Sequence, residues 1–85
     1  SRVVLLEFPQ TGAWSIGFVT SEMIPKELQK SFDGPMVSVF IPTTPIPTNG
    51  FYILTAEKNL KPTTLTVEQA FKIIVSLGLV TPHEH

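Results

Sequence analysis

The nine residues Pro42-Thr43-Thr44-Pro45-Ile46-Pro47-Thr48-Asn49-Gly50 constrain the fold more than any other part of the chain. They hold three of its eight prolines and lie between two runs of alternating apolar residues. Proline fixes φ and removes a backbone donor, so the segment is expected to be stiff and largely excluded from sheet pairing. The runs beside it, Met36 to Ile41 and Phe51 to Thr55, read as strands of one hairpin. In the first, Val37, Val39 and Ile41 share a face, with Met36, Ser38 and Phe40 opposite. Asn49-Gly50 is expected to form a tight turn with positive φ.

A second hairpin is read nearer the start. Arg2 to Phe8 is a nearly continuous apolar run, the pattern of a strand covered on both faces. Pro9-Gln10-Thr11-Gly12 is a turn, and Ala13 to Thr20 alternates with Trp14, Ile16 and Phe18 on one side. Met23 to Phe32 reads as a short helix, or else an irregular loop, with Ile24, Leu28 and Phe32 spaced to dock it. Leu60 to Leu65 reads as an edge strand, because Pro62 is excluded from a central one.

Thr66-Val67-Glu68-Gln69 is a capping box. After it Val67, Ala70, Phe71, Ile74 and Val75 form a helical apolar stripe, and Gly78 is the expected terminator. The expected fold is α+β: a small mixed or antiparallel sheet, or a partly closed barrel, of four to five strands with one C-terminal amphipathic helix and one short helix. Residues 1–82 make a single domain, and His83-Glu84-His85 reads as a disordered tail.

Composition excludes more than it assigns. Net charge is −1 and the six basic residues are scattered, which speaks against nucleic acid. There is no cysteine, so disulfides and Cys-ligated metals are ruled out. Both histidines stand in the last three residues, so the body of the domain has no imidazole for proton transfer. His83 and His85 read as a fraying terminus rather than a metal site. No enzyme, no cofactor and no metal is expected. The alternative is a hydrolase-like or ligand-binding domain whose carboxylate and lysine site forms only on folding. Hydrophobic residues make up 42% of the chain, high for a small domain, which leaves apolar surface for a partner or for a tightly filled core. The start at Ser1-Arg2, directly on a strand, reads as a piece of a longer protein.

Three stretches carry a family resemblance. Ala13-Trp14-Ser15-Ile16-Gly17-Phe18-Val19-Thr20 resembles a G-x-W-S-I-G-F-V-T segment. Val37 to Pro45, with Pro47-Thr48 and Gly50-Phe51, resembles V-x-V-F-V-P-T-T-P-x-P-T-x-G-F. Ser76-Leu77-Gly78 with Val80-Thr81-Pro82 is similar to a closing S-G-G-x-V-x-P, departing from it at Leu77. The family is the domain-of-unknown-function family 502, called LIKE-COV in plants. The resemblance implies two transmembrane helices ahead of this domain, hence that this is the soluble part of a membrane protein; the cytoplasmic side is the expected location, which the resemblance does not itself imply. It implies no enzymatic activity.

The candidate interaction loop is therefore Pro42, Thr43, Thr44, Pro45, Pro47, Thr48 and Gly50, with Trp14 and Tyr52 as secondary contacts. The loop reads either as a structural corner, its threonine hydroxyls bonding the backbone, or as a preorganised docking surface. The expected partner is an unidentified protein, the rest of the parent chain, or a second copy.

Overall fold

Five strands and two helices follow in the expected order in a computed structural model that describes residues 2–82. They are β1 (Arg2–Glu7), β2 (Trp14–Ser21), α1 (Lys26–Gln29), β3 (Met36–Pro42), β4 (Gly50–Ala56), β5 (Lys61–Pro62) and α2 (Val67–Val75). A 3-10 turn, Glu57–Asn59, separates β4 from β5. The strands form one antiparallel, open sheet in the order β4-β3-β2-β1-β5. The tail at His83-Glu84-His85 lies outside the described residues.

Chain connectivity requires the sheet to roll. The chain leaves β4 at one edge at Ala56 and enters β5 at the other edge at Lys61. The four residues between them, with a 3-10 turn among them, carry the chain about 13 Å. A flat five-stranded sheet would hold its edges about 19 Å apart. The edges therefore curl towards each other. Inside the curl Val4, Leu6, Val19, Val37, Val39, Ile41 and Leu60 form one buried cluster, with Phe8 and Ile53 against it. No helix covers this face; Leu60, delivered by the crossover, helps to seal it.

Helix α2 covers the outer face. Ala70 and Ile74 pack on Val3 and Phe18, and the Phe71 ring stacks on Phe18 with centroids 5.0 Å apart. The capping box is formed: the Gln69 N–H donates to Thr66 Oγ1 at 3.1 Å, and the Thr66 N–H donates to Gln69 Oε1 at 2.9 Å.

Four expectations need correcting. Gly50 has no positive φ; it is the first residue of β4, paired with Pro42. Glycine is required there because a Cβ would strike the Ile41 carbonyl oxygen and come within 2.7 Å of the Phe40 ring. Of the three apolar residues spaced to dock the Met23–Phe32 segment only Ile24 is buried, since α1 is one turn long and Leu28 and Phe32 stay exposed; Gln29 adds a polar tie, its Oε1 accepting from the Met36 N–H at 3.0 Å. Val67 and Val75, at the two ends of the stripe, are also exposed, because α2 touches the curved sheet only at its middle. The helix terminator is Leu77, with φ 61°, rather than Gly78. The Gly78 N–H donates to the Ile73 carbonyl at 2.8 Å and the Leu77 N–H to that of Ile74 at 3.2 Å, which is a Schellman closure.

Candidate interaction site

The proline segment is the closed tip of the β3–β4 hairpin. The Thr43 N–H donates to the Asn49 carbonyl at 2.8 Å, and the Thr43 hydroxyl lies 2.8 Å from the Ile46 carbonyl and 3.1 Å from that of Asn49. Thr43 thus does the structural work of the loop: its hydroxyl holds carbonyls that proline nitrogens cannot serve. Thr44, Pro45, Ile46 and Thr48 project into solvent, while Pro42, Thr43 and Pro47 are half-buried. The Thr44–Pro45 bond is cis, as is Phe8–Pro9.

Folding brings this tip to the end of the molecule that also carries Trp14 and the C-terminus of α2. A cavity of about 240 Å³ is lined there by Trp14, Ile16, Pro42, Thr44, Ile73 and Gly78 among others. Trp14, read from the sequence as a secondary contact, lies at the rim of the cavity: it is 46% exposed, with the Lys61 ammonium 4.7 Å from its ring centroid. Tyr52 does not line the cavity; it stands exposed on the outer face of β4 opposite Phe40. Phe51, on the inner face, is also exposed in part, yet its ring meets Phe8 at 5.1 Å. Ile73 and Gly78 carry no sequence signal for this role, because only the crossing of α2 over the sheet puts them beside Pro42. The exposed Leu77, Leu79 and Val80 continue the apolar surface beyond the helix.

A second concavity, about 470 Å³, lies between β1 and β4 and is lined by Glu7, Trp14, Thr55, Lys58, Asn59 and Lys61 among others. It gathers the carboxylate and lysines of the alternative expectation. Glu7 is already engaged, its Oε2 accepting from the Gly12 N–H at 2.7 Å. The cleft offers no paired nucleophile and base, and among the described residues no three His, Cys, Asp or Glu side chains meet as a metal-binding group. Both histidines lie outside the described residues.

The charged hub of the domain is at the end away from the proline tip. Arg2 donates through Nε to Glu22 at 2.9 Å and through Nη2 to Glu22 at 3.0 Å and to Glu57 at 2.8 Å. These bonds push the Arg2 pKa upwards, and the bond from Arg2 holds the Glu22 carboxyl below its ordinary value. The hub ties the start of β1 to the crossover turn, so its part is structural.

No curated protein and no solved structure matches this chain. No helix among the described residues is long and apolar enough to cross a membrane. Residues 1–49, more than half of the chain, match the family described as Protein of unknown function (DUF502), and the chain belongs to that family.

Proposed function

We propose that this domain is a non-enzymatic interaction module of a membrane-anchored protein, and that it docks a protein partner at the end built from the proline tip, Trp14 and the C-terminus of α2. One observation supports this above others: a stiff loop and a half-exposed tryptophan share a cavity with a helix end flanked by exposed Leu77, Leu79 and Val80. A surface of this kind loses little conformational entropy on binding and removes apolar area from water. Aromatic anchors beside small pockets are also where binding energy concentrates. The partner-facing positions are Thr44, Pro45, Ile46 and Thr48, whereas Thr43 holds the loop in shape. Membrane attachment belongs to the same reading and rests on the family resemblance; the cytoplasmic side is proposed with it.

The test is photo-crosslinking of the full-length protein in its native membrane, with the reactive group placed at Thr44 or Thr48 and a control at Lys30, in the α1 region. A discrete protein adduct from the tip positions, absent from the control and lost on Trp14→Ala, supports the proposal. Equal labelling from tip and control would refute it.

A further inference from the structure

We infer that the cleft between β1 and β4 is a strand-sized gap that takes one extended, acidic segment of another protein, completing the rolled sheet. This surface is separate from the proline tip, and the inference does not depend on the tip being a docking site.

The lining residues carry the argument. They include three consecutive residues of β1 and its extension, Leu6, Glu7 and Phe8, and three consecutive residues of β4, Ile53, Leu54 and Thr55. A sheet face would contribute every second residue; consecutive residues mean that the cleft is bordered by two strand edges. Both edges lack a partner among the described residues. β4 ends the sheet, and β5 pairs with Val4 and Leu5 only, so β1 beyond Leu5 has no outer neighbour.

Hydrogen-bond phase identifies the free groups. In an antiparallel ladder alternate residues turn their N–H and C=O to the same neighbour. The Phe8 N–H donates to Ala13, on the β2 side, and the Val3 carbonyl accepts from Thr63, on the β5 side. Glu7 is in phase with Val3, so its main-chain groups face the cleft. On β4, the bond from Thr43 to Asn49 sets Phe51, Ile53 and Thr55 towards β3 and turns Leu54 outwards. Glu7 and Leu54 therefore present free donors and acceptors from opposite walls. β1 and β4 run antiparallel to each other, so a strand between them would run parallel to one and antiparallel to the other.

The length and charge of the occupant follow. Three residues on each wall accommodate an extended stretch of about three to four residues, at about 3.3 Å each. The Phe8–Phe51 contact closes one end, and the 3-10 turn carrying Lys58 and Asn59 borders the other. Neither Lys58 nor Lys61 makes an ion pair among the described residues. Glu7, the carboxylate on the opposite wall, is tied to Gly12. The Lys61 ammonium rests over the Trp14 ring and neither lysine has a carboxylate partner among the described residues, so the rim favours a carboxylate on the incoming strand.

The test is selection of random heptapeptides displayed on phage against the 85-residue chain, followed by amide hydrogen exchange of the chain with the enriched peptides. The expected peptides carry Asp or Glu, slow the exchange of Glu7 and Leu54, and lose about tenfold or more in affinity against the Lys58→Glu, Lys61→Glu double variant. Both lysines are exposed, and unchanged far-ultraviolet circular dichroism would show that the variant folds. Failure to enrich any peptide, protection confined to the proline tip, or undiminished binding to the charge-reversed variant would each overturn the inference.

Discussion

Leu77 is the residue most at odds with its position. It holds φ 61° at the end of α2, a conformation that costs an L-residue about 1–2 kcal/mol and glycine almost nothing. The side chain is 59% exposed, so little packing offsets that cost. The resemblance to a closing S-G-G-x-V-x-P marks the same position as the departure. Leu77→Gly should therefore stabilise the domain by about 0.5–1 kcal/mol after glycine's greater unfolded-state entropy is deducted. Thermal unfolding should show a melting temperature raised by a few degrees, and a lowered one would mean that Leu77 makes a contact worth more than the strain. Glycines act in the opposite sense inside the sheet. A Cβ at Gly17 would sit 2.6 Å from Val39 Cγ1 and 3.0 Å from Leu6 Cδ2, so its missing side chain is what lets the inner cluster close.

Among the elements, those with purely local signals formed as read. The capping box over Thr66–Gln69 starts α2 because two backbone donors find partners within four residues, whatever the rest of the chain does. Thr66→Ala should cost about 1 kcal/mol in urea unfolding, with an unchanged midpoint as the contrary result. The two hairpins were legible for the same reason: alternation and turn residues are short-range facts. Legibility failed where burial depended on curvature. The stripe Val67 to Val75 was sound as a helix signal, but periodicity does not say how far a convex sheet follows the helix, so its two ends are exposed. Gly50 was misread in kind: Asn-Gly suggests a turn, while the close approach of β3 is what excludes a side chain.

At the scale of the whole molecule, the crossover from β4 to β5 governs shape. It draws the sheet edges together, buries a core that no helix covers, and leaves the cleft where pairing stops. Arg2 ties the start of β1 to that crossover through Glu57 and to the end of β2 through Glu22. Glu22 titrates below its ordinary value of 4.5 because the guanidinium bonds its ionised form. Its contribution is then complete above 4.5 and fades as the pH falls through the lower, folded value. The difference in urea midpoint between wild type and Arg2→Met should accordingly be largest at neutral pH and vanish in acid. High salt should shrink it too, since all three side chains are well exposed. A difference independent of pH would mean that Arg2 acts through its aliphatic stem.

The candidate loop was visible in the sequence because proline is a local constraint; its division of labour was not. Thr43, Thr44 and Thr48 look equivalent along the chain, and only the closed tip shows Thr43 bonded and the other two free. The sequence by itself determined which segments are strand, turn and capped helix, because those depend on spacings of a few residues. Tertiary structure alone decided that Trp14, Pro42 and Ile73 share a cavity and that Glu7 and Leu54 line one cleft. Such neighbours are set by how far the sheet rolls. The roll reflects a connection length and a core volume together, and no local spacing records either.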